Sequence, residues 1–178
     1  METTRKRLLC RLVCLAFGLL LMGAAPLAAQ AECKPIIDTS SKVFNTPTHM
    51  YITGNTNGLT LTTEMIYAAG GIYMKINGKW SAGGTTKDAE ELVEKNQQKN
   101  RQTSKATCRY LKDELVAGEM AALYSMHDET SGKIDSQIWI SKAKGLPLRQ
   151  EDDIDLGAGK GKVHNSTRYE YGNVRPPI

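Results

Sequence analysis

Three histidines are the residues best suited to metal or acid–base chemistry. His49, His127 and His164 fall on three separate predicted strands. A zinc site takes three or four side-chain ligands, and its ligands usually include a pair that lies a few residues apart. No two of these histidines have that spacing. The sequence therefore predicts no metal site, although three strands could bring the rings together.

Two further segments resemble ligand-binding motifs without having their spacing. The run 157–162 lacks the four-residue gap and the Lys-Ser/Thr pair of a phosphate loop, so it predicts a flexible linker. An acidic cluster follows the segment Gly145–Arg149, but it lacks the spacing of an EF-hand calcium loop. We expect its side chains to lie at a solvated strand end. They are Glu151, Asp152, Asp153 and Asp155.

Nucleophilic catalysis has no support in the sequence. The chain contains no Gly-x-Ser-x-Gly nucleophile elbow. Two carboxylates could still meet in space, as in any chain rich in acidic residues, and the sequence does not rank such pairs. We predict no catalytic residue and no cofactor, so an enzyme is the least favoured class of function.

Residues 1–31 are predicted to form a cleavable secretory signal peptide. The apolar run Leu8–Met22 is too short to span a bilayer stably. Ala29 and Ala31 place small side chains before the expected cut, which follows Ala31. The mature chain, residues 32–178, is expected to be one soluble periplasmic domain without a membrane span. The basic residues that precede or enter the apolar run are Arg5, Lys6, Arg7 and Arg11.

Cleavage would also remove most of the net charge. The whole chain has 23 basic and 19 acidic residues and a net charge of +4. The first 31 residues hold four of the basic residues and one of the acidic residues, so the mature domain is close to neutral at +1. Nucleic-acid binders usually carry a strongly basic patch. The composition therefore argues against a nucleic-acid partner.

Two cysteines remain after the expected cleavage, Cys33 and Cys108. In an oxidising compartment two cysteines favour one disulfide. Neither lies in a C-x-x-C pair or beside a histidine, but a reactive thiol or a metal ligand stays open as the alternative. Cys33 follows Glu32 rather than a run of small residues, so we expect no lipid anchor.

The hydrophobic periodicity predicts an α+β fold that is predominantly β. Residues 33–44 have the spacing of an amphipathic helix, and residues 85–105 that of a polar surface helix, either a solvated connection or a lid. The other segments alternate with a period of two and give seven to eight strands joined as hairpins. Such a run favours a curved antiparallel sheet, or incomplete barrel, with the helices against its concave side.

Three segments together resemble the LolA-like periplasmic lipoprotein-carrier superfamily. They are Ile72–Lys75 with Gly78–Trp80, Gln137–Ser141 with Gly145–Arg149, and the closing Arg168–Val174. The resemblance covers most of residues 48–175 and is closest to an exported branch of the superfamily. It implies an incomplete antiparallel barrel whose apolar hollow shelters acyl chains. The short chain, the polar second helix and the cysteine pair depart from the general pattern.

The resemblance and the apolar strand faces predict a non-catalytic carrier for an apolar ligand, a lipid or the acyl chains of a lipoprotein. Flexible methionines suit a pocket that adapts to varied chains. The same side chains could instead fill the core of a structural or interaction module that recruits an envelope protein, and Trp80 and Trp139 could serve for packing alone. The expected lining residues are Met50, Ile52, Leu61, Met65, Met74, Met120, Ile138 and Trp139.

Overall fold

A computed structural model describes residues 25–101, 106–129, 133–157 and 161–178. In these residues the chain forms two helices and nine strands, α1 (Ala25–Phe44), β1 (Thr48–Thr56), β2 (Leu59–Ala68), β3 (Gly71–Ile76), β4 (Lys79–Thr85), α2 (Thr86–Arg101), β5 (Thr107–Val116), β6 (Glu119–Asp128), β7 (Lys133–Ser141), β8 (Pro147–Asp155) and β9 (Lys162–Tyr171). All strands belong to one open antiparallel sheet in the order β4-β3-β2-β1-β9-β8-β7-β6-β5. The predicted fold class is confirmed: the molecule is a mostly β half-barrel with helices on its concave face.

Tight turns set the hairpin registers. Asn77 and Gly78 both have positive φ, 51° and 77°, which is the conformation for which Asn-Gly is favoured between paired strands. The turn fixes which residues oppose each other, so that Met74 lies opposite Ser81 and Lys75 opposite Trp80. Side chains on β3 therefore alternate between the two faces as the period of two predicted.

Two elements differ from the sequence prediction. Helix α1 includes residues from Ala25 onward rather than starting near Cys33. Strand β4 contains Ser81, Gly83 and Gly84, which are poor strand formers. It forms as an edge strand paired with β3, and this raises the count to nine strands in the described residues.

The acidic cluster lies at the end of strand β8, which finishes at Asp155. The expected strand end is therefore present, and Asp153 is 73% exposed there. Cross-strand partners share a face, and Asp152 is opposite Ser136 whereas Asp153 is opposite Asp135. Asp152 therefore points to one face of the sheet, and Glu151 and Asp153 point to the other.

A disulfide fixes α1 across the concave face. Cys33 and Cys108 are bonded with their Cα atoms 5.0 Å apart, which confirms the predicted pairing and ties α1 to β5. Together with Ile36, Ile138 and Ile140 they form a buried cluster between helix and sheet. The helix packs on the apolar face of the sheet because this contact removes the apolar side chains of the helix from water.

A second apolar cluster lies on the outer face of the sheet. Ala121, Leu123, Trp139 and Leu148 are all buried there. Residues 138 and 139 thus belong to different clusters, because successive side chains of a strand point in opposite directions. The sheet consequently has an apolar layer on each side of β6, β7 and β8.

Helix α2 begins at a capped end and contacts α1. The amide of Asp88 donates to the Thr85 hydroxyl at 3.1 Å, so Thr85 caps the helix. The Asn45 amide, just after α1, donates to Glu90 of α2 at 2.8 Å. Within the described part of the chain, neither helix has the length and apolar content to cross a membrane.

Candidate functional site

An apolar cavity of about 260 Å³ lies between α1 and the concave face of the sheet. This volume is just below the range of roughly 300–1,000 Å³ that is usual for small-molecule sites. The wall contributed by the sheet comes from five strands, and α2 adds one residue. The lining residues are Ile36, Thr39, Ser40, Val43, Phe44, Met50, Tyr67, Val93, Ile138, Pro147, Gln150 and Tyr169.

The helical wall of the cavity follows from the spacing of α1. Ile36, Ser40 and Val43 recur at intervals of four and three, so they lie on one side of the helix. The Ser40 hydroxyl donates to the Ile36 carbonyl at 3.1 Å, and the Thr39 hydroxyl donates to the Gly145 carbonyl at 3.2 Å. These hydroxyls are therefore satisfied within the protein, and the wall offers a ligand mainly apolar surface.

A row of methionines extends the apolar surface away from the cavity. Met50, which lines the cavity, is directly opposite Met65, and Met65 is directly opposite Met74. The three side chains thus share the concave face on neighbouring strands β1, β2 and β3. We call Met50, Met65 and Met74 the methionine row.

The predicted lining residues divide by position. Met50 and Ile138 line the cavity. Ile52, Leu61, Met65 and Met74 lie on the same face, since each is an even number of residues from a concave-face side chain of its strand. They are outside the cavity, and Leu61 is 61% exposed.

Trp139 and Met120 lie away from the cavity for different reasons. Trp139 follows Ile138 directly and so lies on the outer face, where its indole nitrogen donates to Glu114 at 3.1 Å. The Arg149 guanidinium lies over its ring, 4.8 Å from the centroid. Met120 adjoins the β5–β6 turn and is 48% exposed.

Sequence reasoning missed two polar residues of the cavity wall, Gln150 and Tyr169. Tyr169 is opposite Met50, and Gln150 is opposite Ile138. Both positions follow from the register, which pairs segments far apart in the chain. The alternation of side chains along β8 could have placed Gln150 on the concave face. It was missed because the neighbouring acidic residues interrupt the apolar–polar pattern.

These two residues belong to a polar network on the concave face. The Tyr169 hydroxyl donates to Gln150 Oε1 at 3.2 Å. Gln150 Nε2 in turn donates to both Asp152 oxygens at 2.9 Å, and the Ser136 hydroxyl donates to Asp152 Oδ1 at 2.6 Å. Burial raises the pKa of Tyr169 far above its usual range, so this hydroxyl stays protonated.

A larger cleft of about 850 Å³ is lined mainly by polar side chains of the outer face. Two cross-strand rows form most of it, and we call it the polar cleft. Their residues carry both signs of charge, with Arg109 in one row and Asp135 in the other. The first row is Arg109, Ser125, Gln137 and Glu151, and the second is His127, Asp135, Asp153 and His164.

Two of the three histidines lie in the polar cleft, each beside a carboxylate. His127 Nδ1 is 2.6 Å from Asp135, and His164 Nδ1 is 2.9 Å from Asp153. Hydrogen bonds to these carboxylates raise the pKa of both imidazoles. His49 is elsewhere and contacts Glu64 at 2.9 Å. Among the described residues, no group of three potential metal ligands converges.

The comparisons with known proteins define the class of fold. No family model matches the chain, and no curated protein matches its sequence. The structure of MucB in complex with MucA(peri) is similar with a TM-score of 0.50 and 13% identity, over 82% of this chain and 57% of that one. The MucA/MucB complex of Pseudomonas aeruginosa gives 0.50 and 11%, over 83% and 59%.

The chain therefore spans less than two thirds of the MucB structures that it resembles, and at this identity the likeness concerns the fold alone. LprF from Mycobacterium bovis is also similar, with a TM-score of 0.43 and 11% identity, over 83% of this chain and 98% of that one. The LolA-like fold that the three hairpin segments predicted is confirmed.

Proposed function

We propose that this protein is an exported, non-catalytic carrier that binds one acyl chain between α1 and the concave face of the sheet. The observation that carries the proposal is the apolar cavity, which meets the methionine row at Met50. Thioether side chains adapt to ligands of varied shape because they are unbranched and polarizable. The ligand would be a lipid or the acyl chain of a lipoprotein.

The size of the cavity supports one chain rather than several. Its volume of about 260 Å³ is small for a lipid with two or three chains. Helix α1 is held near its middle by the Cys33–Cys108 bond, and at its C-terminal end the Phe44 ring stacks on Tyr67 with 5.4 Å between centroids. A chain longer than the cavity would continue along the half-buried Met65 and Met74.

Export through residues 1–31 would deliver the carrier to the periplasm. Its ligand source would then be an envelope membrane or a lipoprotein. In the periplasm the carrier would also meet proteins of the cell envelope, and one of these would be its partner.

A structural or interaction module is the second candidate. The polar cleft of about 850 Å³ favours it, because mixed charges on an open sheet face suit a protein partner. MucB was solved in complex with MucA, so one protein of similar fold does bind a protein. In this alternative the residues beneath α1 serve as core, and the purified protein takes up no lipid.

A titration with an uncharged fluorescent acyl probe separates the two candidates. The carrier predicts saturable binding, and Met65→Ala should weaken it several-fold because part of the methionine row is lost. Met120→Ala is the matched control, since it removes the same side chain outside the cavity and row. Absence of probe binding to the wild-type protein, or equal weakening by both substitutions, would contradict the carrier.

A further inference from the structure

The concave face bears a carboxylate, Asp152, beside the apolar cavity. Ile138 lines the cavity and is opposite Gln150, and Ser136 is opposite Asp152. Because alternate residues of β7 and β8 share a face, all four side chains lie on the side of the sheet covered by α1. A negative charge therefore lies on the same face as the proposed acyl site.

The donors that contact this carboxylate among the described residues are neutral. It accepts from the Ser136 hydroxyl at 2.6 Å and from Gln150 Nε2 at 2.9 Å to each oxygen. In the described part of the chain no lysine, arginine or histidine forms an ion pair with it. Its neighbours on the outer face differ, since Glu151 pairs with Arg149 at 2.7 Å and Asp153 pairs with His164 at 2.9 Å.

Gln150 connects the charge to the cavity. Its side chain lines the cavity and also contacts the Tyr169 hydroxyl at 3.2 Å. The concave face thus changes from apolar at Ile138 and polar at Gln150, which both line the cavity, to negative at Asp152, which lies just outside the lining and accepts from Gln150. An amphiphile whose chain fills the cavity would place its polar end toward this network.

The charge of Asp152 discriminates between polar ends. An ionised carboxylate offers about four acceptor positions, and three hydrogen bonds to Asp152 leave one position for a ligand donor. A hydroxyl or an ammonium group can donate to it. A carboxylate or phosphate cannot donate and is repelled, and a low-dielectric surrounding strengthens this repulsion.

We propose that Asp152 is a specificity-determining residue, which makes the site selective for single-chain amphiphiles with a neutral or cationic hydrogen-bond donor at the polar end. Acyl glycerols and long-chain amines belong to this class, and free fatty acids do not. This inference rests on the proposed acyl site and names the chemical class of its ligand.

Three competitors of equal chain length test the assignment. A monoacylglycerol, an alkylamine and a fatty acid displace the uncharged fluorescent probe at about pH 8, where the fatty acid is ionised. The wild-type protein should bind the fatty acid about tenfold or more weakly than the other two. This ranking needs no variant.

The variant Asp152→Asn should bring the fatty acid to within about twofold of the monoacylglycerol, because the charge is removed at nearly constant shape. Asp153→Asn is the control, since it removes the same charge from the next residue, on the outer face. Equal binding of the three competitors by the wild-type protein, or an equal effect of the two variants, would overturn the role of Asp152 and leave the carrier standing. Failure of the wild-type protein to bind even the uncharged probe would overturn both.

Discussion

His127 and His164 each lie between two carboxylates on the outer face. His127 contacts Asp135 at 2.6 Å and Glu129 at 3.4 Å. His164 contacts Asp153 at 2.9 Å and Glu151 at 3.1 Å. These acceptors favour the charged imidazole and therefore raise the pKa of both histidines in the folded chain.

The stability of the protein should consequently fall as the pH rises above about 6.5, the pKa of a histidine in the unfolded chain, and passes the raised pKa values of the folded chain. A histidine whose folded pKa is raised contributes stability fully below its unfolded pKa of about 6.5 and loses it as the pH passes the folded pKa. Solvent screening keeps the effect small, since the side chains are 39% and 50% exposed. Thermal unfolding of His127→Gln/His164→Gln should show a flatter profile across this window, and an unchanged slope would contradict the assignment.

At the scale of residues, the alternation of side chains along a strand predicted the face on which a residue lies better than it predicted the function of that residue. The period of two correctly placed Leu61 and Met65 on one face of β2. Ile138 and Trp139 are successive residues of one strand and point to opposite faces, so they cannot both line the same cavity. Asp152 was expected at a solvated strand end, and only the register with β7 reveals its side of the sheet.

The Cys33–Cys108 disulfide is the covalent link between α1 and the sheet. It closes a loop with a sequence separation of 75 residues. Chain-entropy models assign such a loop about 4 kcal/mol, and removal of native disulfides typically costs about 2–5 kcal/mol. We expect Cys33→Ser/Cys108→Ser to lose a stability in this range.

Urea unfolding of the variant and of the wild-type protein measures this loss. The wild-type protein under reducing conditions is the matched control and should reproduce the midpoint of the variant. A midpoint in the variant equal to that of the oxidised wild-type protein would show that α1 is held without the bond.

Helix α1 also bears on the expected cleavage site. The helix passes through Ala31 and contains Pro35, whose missing N–H disrupts a helix interior. If cleavage follows Ala31, Pro35 becomes one of the first four residues, whose N–H groups have no partner within the helix. We expect N-terminal sequencing of the exported protein to begin at Glu32. A chain that retains Met1 would contradict this expectation.

At the scale of elements, local signals were sufficient for most of the sheet. Asn77-Gly78 and Ala117-Gly118 marked turns that are present with positive φ. Strand β4 was predicted only in part: Lys79 and Trp80 marked its beginning, whereas Gly83 and Gly84 give no strand signal and are in the strand through its pairing with β3. The sequence prediction for α1 began at Cys33, where the amphipathic spacing starts, and so did not include the residues from Ala25 onward. The sequence also predicted a loop at 130–132, which lies outside the described residues, as do residues 158–160 of the linker expected at 157–162.

The whole molecule depends on one long-range pairing that local patterns do not contain. Strand β1 pairs with β9, so that Met50 meets Tyr169 across 119 positions of sequence. This pairing joins the β1–β4 hairpins to the β5–β8 hairpins in one sheet and brings Gln150 and Tyr169 to the cavity. From sequence, only the resemblance to the LolA-like superfamily implied such an arrangement.

The two faces of the sheet offer different chemistry. The concave face presents the apolar cavity and the methionine row, and the outer face presents the polar cleft. A carrier would need both kinds of surface, one for the acyl chain and one for contact with its donor or acceptor. Binding of an acyl chain at the concave face is the property that distinguishes a carrier from an interaction module.

The most direct test is the lipid content of the protein as it is purified from the cell envelope. Solvent extraction followed by mass spectrometry should detect a single-chain amphiphile with a neutral or cationic polar end, close to one molecule per protein and reduced in Met65→Ala but not in Met120→Ala. A wild-type protein that yields no lipid and binds no uncharged acyl probe after extraction would contradict the carrier and leave the interaction module as the function.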